Sequence, residues 1–273
     1  MASLSSIIQD NKFRPEDLPE FESQLFFEGD RAQRYIVRFT ILLFLSTVIA
    51  TQGVIEDSTA TVIGAMIIAP LMTPIVATTA ALMMGNAHRA WKSLTLVIAG
   101  VIGVILVSCF FGYLGIHVVD FDTNSQITAR TVPRILDLII ALAAGTAGAF
   151  AMSRDDVADS IPGVAISIAL VPPLCVTGIG LAQGETAAAT GAFLLFTTNF
   201  LAILLAGGGV LAILGLSSAT LKGLTGITRR GSFVLINLGI MLVVIPLGLT
   251  SISFFEENVV KQETIQLTLE WME

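Results

Sequence analysis

Charge is scarce in this chain. Only 13% of its 273 residues are Asp, Glu, Lys or Arg, against 54% hydrophobic residues and a mean hydropathy of +0.85. That excess of apolar surface is more than one soluble core can hide, which excludes an ordinary globular domain and points to an integral membrane protein. The 14 basic residues form no patch suited to nucleic acid. Cysteine is equally sparse: Cys109 and Cys175 both fall inside apolar runs, so neither a disulfide framework nor a metal site follows from them. The two histidines, His88 and His117, sit at the ends of such runs. There is no H-E-x-x-H, no serine with a plausible histidine base and no pair of aspartates within an apolar run, so neither an enzyme nor a cofactor is expected.

What the chain has in abundance is apolar runs long enough to span a bilayer. Seven occur, over residues 35–55, 59–84, 94–119, 132–152, 161–183, 187–215 and 232–255. Transmembrane helices fit them; a barrel would show shorter alternating strands. The fold class expected is therefore an all-α membrane protein of about seven helices. Eleven of the 14 basic residues fall on one side of these spans, leaving Arg130, Arg134 and Lys261 on the other. By the positive-inside rule the N-terminus is cytoplasmic and the C-terminus extracytoplasmic. The first 34 residues read as a cytoplasmic segment without a cleavable signal. There Leu18, Phe21, Leu25 and Phe26 recur at helical spacing, as in an amphipathic helix docked on the bundle or the interface. The segment around Asn124 reads as an exposed outer loop. The tail, 256–273, alternates at Ile265, Leu267, Leu269 and Trp271, the period of a strand.

Two spans contain prolines where an uninterrupted helix would be simplest: Pro70 and Pro74 in "MIIAPLMTP", and Pro172 and Pro173 in "IALVPPLCV". Shifting the chain by 102 places Asp57-Ser58 on Asp159-Ser160 and Pro70 on Pro172. Asp and Ser are good helix N-caps, and a break 12 residues later falls about 18 Å in, slightly past the middle of a hydrocarbon core of about 30 Å. Helices 1–3 (35–119) match helices 4–6 (120–215) in order, and an odd number of spans per unit turns the second unit upside down. An inverted three-plus-three repeat is expected, with helices 2 and 5 broken, followed by a loop and seventh helix over 216–255.

Proline lacks an amide hydrogen and displaces the carbonyl four residues earlier, so each break frees backbone polar groups that protein or water must satisfy. The candidate binding residues are those at the breaks, Ala69, Pro70, Thr73, Pro74, Pro172, Pro173 and Thr177, joined by Asn199, whose amide needs partners at mid-span in "TTNF". A kink without function, or a purely interhelical role for Asn199, is the structural alternative. Asp137 is the one carboxylate well inside an expected span and a possible ion-coupling group, although a local ion pair with Arg134 is the simpler reading. Gly145 and Gly148 in helix 4 and "AGGG" in helix 6 offer surfaces for close packing within the bundle or between subunits, and a homo-oligomer is expected.

The segments "DSTATVIGAMIIAPLMTPI" and "SIPGVAISIALVPPLCVTGIGLA" resemble the two signature stretches of a bacterial membrane-protein family known as domain of unknown function 389, over roughly residues 35–255. The resemblance implies a multi-spanning protein of the bacterial inner membrane and assigns no substrate or catalytic residue. Function is therefore expected from the breaks: a transporter or channel binding a small solute or ion near mid-membrane, with an anion slightly favoured because half-helix N-termini carry partial positive charge. The alternative is a membrane sensor or scaffold that moves nothing.

Overall fold

The computed structural model describes residues 12–27, 29–115, 119–132, 134–153 and 162–217, the stretch 162–169 by its backbone alone. The expected seventh helix, the alternating tail and Asp159-Ser160 lie outside the described residues. Among those residues the chain is all helical: α1 (Leu18–Leu25), α2 (Asp30–Ile55), α3 (Thr59–Ile68), α4 (Met72–Met83), α5 (Ala87–Leu114), α6 (Ser125–Thr131), α7 (Ile135–Met152), α8 (Pro162–Gln183) and α9 (Thr186–Ile213). Four of them, α2, α5, α7 and α9, are long and apolar enough to cross a membrane, and α3 with α4 makes a fifth crossing if the bent pair is one span. Exposed Ile, Leu and Phe along α2, α5 and α7 form the lipid-facing surface.

The core gathers around α8, which packs against α2, α3, α4, α5, α6, α7 and α9. Every residue from Leu170 to Gly180 is buried. Lipid is as apolar as leucine, so helices in a membrane gain little by hiding apolar surface and are held by close van der Waals contact instead. Glycines provide it. Gly178 abuts the α5 backbone at Ile105 and Cys109, Gly112 of α5 abuts Ile179, and Gly145 of α7 abuts the backbone of Ile203 in α9. The small-residue surfaces of α7 and α9 thus face each other inside the bundle. α1 docks as its spacing suggests, burying Phe21 and Leu25 against α4.

The two proline segments fold differently. Ser58 caps α3, its hydroxyl accepting from the Thr61 amide at 3.4 Å. α3 then stops at Ala69, which is extended (φ −64°, ψ 122°) because the ring of Pro70 clashes with a helical predecessor. Leu71 turns back to helical angles and α4 begins at Met72, its axis 53° from that of α3. Pro74 falls in the first turn of α4, where no amide is needed for the ladder. By contrast α8 passes through Pro172 and Pro173 as one helix, so the expected break in the second unit is not there. A proline's φ suits a helix, and neighbours on every side hold α8 in line despite the two missing hydrogen bonds. The shift of 102 also puts Val176, not proline, opposite Pro74, so no proline is placed to open a second half-helix.

Candidate functional site

The depth of the break follows from neighbouring contacts. Ser46 Oγ on α2 donates to the Ala65 carbonyl at 2.8 Å, and four residues further along each antiparallel helix bring Ala69 level with Leu42. Gly100 of α5 rests at that level, against Phe39 and Leu43. On α5 the exposed ring of Trp91 (69%) lies nine residues to one side of Gly100 and that of Tyr113 (67%) thirteen to the other, about 14 and 20 Å. Trp and Tyr favour bilayer interfaces, and the break lies between the levels of these two rings.

Asn199 comes to the same level. On α9, Gly207 and Gly208 lie against the Thr79 methyl of α4, and Ser217 Oγ donates to the Met83 carbonyl at 2.8 Å, so α4 and α9 run side by side in one direction. Eight residues back along each, Asn199 is level with Leu71 at the break. Gly180 of α8 faces Ala189 of α9, and ten residues inward from that antiparallel pair Asn199 is level with Leu170, two residues from Pro172. Asn199 is 4% exposed, and its neighbour Thr198 is as deeply buried. The fold therefore brings the Ala69-Pro70-Leu71 break, Asn199 and the Pro172 segment to one depth in the buried interior.

Two threonines near the prolines bond within their own helices. Thr177 donates to the Pro173 carbonyl at 2.8 Å, just as Thr78 donates to the Pro74 carbonyl at 2.7 Å. Each returns a hydroxyl to the backbone four residues earlier. Thr73, half-buried, lies beside the buried hydroxyl of Tyr35 at the start of α2, nearer the N-terminal side than Asn199.

A family model described as a domain of unknown function, DUF389, matches residues 66–205, just over half of the chain and both proline segments. The chain belongs to this family. It is also 35% identical over 178 residues to an uncharacterized protein of Methanocaldococcus jannaschii, covering 65% of this chain and 54% of the relative. The chain thus spans about half the length of that relative. The relative is archaeal, so the match does not carry the bacterial origin that the resemblance implied. No solved structure matches the chain.

Within the DUF389 region Asp137 has a structural task. It sits in the first turn of α7 and accepts from the Arg134 amide at 2.9 Å, not from the Arg134 guanidinium. The expected ion pair is replaced by a helix cap, because the third position of a helix points its carboxylate back at the capping amide. The more unusual polar cluster is one the spacing of charges did not reveal. Asn124, expected in an exposed loop, is instead buried: it caps α6 by accepting from Ile127 N at 3.0 Å and donates to the Val54 carbonyl at 2.7 Å. Asp57, at φ +53°, accepts from Ser125 Oγ at 2.6 Å and Gln126 N at 3.0 Å. Those bonds, that of Ser125 foremost, hold its pKa below the ordinary carboxylate value. Arg130 is tucked inward, donating to the Gln126 carbonyl at 2.6 Å, and burial lowers its pKa while Cys175 and Asp137 oppose the shift. An Asx cap in "TNSQIT" was the available sequence signal for α6.

A cavity of about 90 Å³ opens on the N-terminal side of the break. Tyr35 and Ile36 of α2, Ser93 and Leu96 of α5, Pro74 and Ala77 of α4, and Phe26 and Phe27 line it. Arg89 pairs with Glu22 at 2.6 Å and covers the Phe26 ring at 4.8 Å, tying α1 to this lining.

Proposed function

We propose that the protein carries a small solute or ion across the membrane, held where α3 ends and α4 begins, beside Asn199. The observation that carries this reading is the broken helix at mid-depth. The last carbonyls of α3 and the first amides of α4 converge there, and Met66 loses its usual donor because Pro70 has none. Freed backbone groups in a bilayer cost several kcal/mol each if left dry, and transporters place them where a solute can use them. The positive end of α4 favours an anion and the negative end of α3 a cation; with no carboxylate nearby among the described residues, we favour the anion.

The packing pattern supports an inverted repeat of α2, α3–α4 and α5 with α7, α8 and α9. Each contact has its counterpart: α2 on α3 and α7 on α8, α2 on α5 and α7 on α9, α4 on α5 and α8 on α9, α2 on α8 and α7 on α4, α5 on α8 and α9 on α4. In this reading the N-terminus is cytoplasmic, 232–255 forms a seventh helix, the C-terminus is extracytoplasmic and the protein assembles with copies of itself. The uninterrupted α8, buried from Leu170 to Gly180, favours a second reading, a sensor or scaffold without a solute path.

Solute flux in proteoliposomes separates the two. With a panel of small anions and cations, Pro70→Ala should reduce flux about tenfold or more, the worth of roughly one charged-group hydrogen bond, and Asn199→Leu should do the same in a folded protein. No flux for any member of the panel, or full flux in both variants, puts the sensor reading first.

A further inference from the structure

We propose that the cavity between α2 and α5 is a binding site for an anionic phospholipid of the leaflet on the N-terminal side. α2 and α5 are in contact where Gly100 meets Phe39 and Leu43, and nearer the N-terminal side a gap lined by Tyr35 and Ile36 of α2 and Ser93 and Leu96 of α5 lies between them. The gap is the cavity, and it opens sideways: Ile36 lines it and is also 46% exposed on the lipid face. Trp91, one residue from Lys92, fixes this opening at the headgroup level.

The lining matches the two halves of a phospholipid. Ile36, Leu96, Pro74 and Ala77 offer apolar surface for an acyl chain, and Arg89, Lys92 and Ser93 add charged and polar groups to the same lining. Lys92 is exposed, and among the described residues its ammonium meets the Phe27 carbonyl at a long 3.5 Å. Among the described residues Glu22 is the carboxylate paired here, with Arg89. Among the described residues, two cations and one carboxylate leave one unit of positive charge, the complement of a phosphodiester. A zwitterionic headgroup would bring its own cation against Lys92 and lose that advantage.

Native mass spectrometry of the purified full chain tests this after exchange into phosphatidylglycerol, phosphatidylcholine or inorganic phosphate. Phosphatidylglycerol should be retained in preference to phosphatidylcholine, and Lys92→Gln should lower its retention about fivefold, the factor one basic residue contributes near an anionic lipid. Ser93→Phe, which fills the cavity, should abolish retention. Arg34→Gln, an exposed cation on α2 that does not line the cavity, should leave it unchanged. Equal retention of the two lipids, an equal loss in Arg34→Gln, or full retention in Ser93→Phe overturns the proposal. Displacement of the lipid by millimolar inorganic phosphate overturns it too, because the site would then recognise the anion alone. Monodisperse elution of each variant, and retention in Lys92→Arg, separate lost binding from lost folding.

Discussion

Gly178 offers the sharpest test of how α8 is held at the centre of the bundle. A Cβ built on it would lie 2.6 Å from the Ile105 carbonyl oxygen, 2.6 Å from Ser108 Cβ and 2.8 Å from the Cys109 amide nitrogen. Carbon contacts settle at about 3.5–4.0 Å, so alanine there requires α5 and α8 to separate by most of an ångström. Two of the three obstacles are backbone atoms, and no rotamer change relieves them. Overpacking of this kind costs about 1–3 kcal/mol, and the better helix propensity of alanine returns up to about 1 kcal/mol. Gly178→Ala should therefore destabilise the protein by about 1–2 kcal/mol and loosen the 3.0 Å contact between Thr51 and Ser108. Gly103→Ala is the matched control, because a Cβ there meets nothing within 4 Å. It should be neutral or stabilising by up to about 1 kcal/mol. Unfolding in mixed detergent micelles, followed by circular dichroism, compares the two. If Gly178→Ala is as stable as the parent while Gly103→Ala behaves as expected, α5 and α8 are not packed as described.

The remaining predictions concern topology and pH. In a chain lacking Cys109 and Cys175, a cysteine replacing His88 should react with an impermeant maleimide only from the cytoplasm and one replacing Asp122 only from outside; the reverse pattern rejects the orientation. Both positions are exposed, whereas Asn124 is buried and would report poorly. Asp57 has a depressed pKa in the folded chain, so its contribution to stability is present above the ordinary aspartate value and lost as pH falls through the lower folded value, below about pH 4. Asp57→Asn should flatten the fall of Tm with acid in that window, and an unchanged slope between pH 5 and 3, about one unit either side of it, would remove Asp57 from the attachment of α6.

Hydrophobic length was enough to place the described apolar helices to within about seven residues, because a bilayer demands about 20 apolar residues in a row wherever the chain crosses it. Residues 35–55, 59–84, 94–119, 132–152, 161–183 and 187–215 each correspond to α2, α3 with α4, α5, α7, α8 and α9. The docking face of α1 was equally legible, since Phe21 and Leu25 recur at the helical period. What a proline does to a helix was not. Pro70 breaks its span and Pro172 with Pro173 does not, although all three lack the same amide. The outcome depends on whether the next residues can restart a helix, as Pro74 allows, and on how completely neighbours enclose the segment, as they enclose α8. Tertiary structure likewise decided that Asn124 and Arg130 turn inward, and that Asn199 lies level with the break. Periodicity tells which residues share one helix face. Which residue stands at which depth beside another helix depends on where glycines such as Gly100, Gly180 and Gly207 let two backbones meet, and that is fixed only when the helices pack.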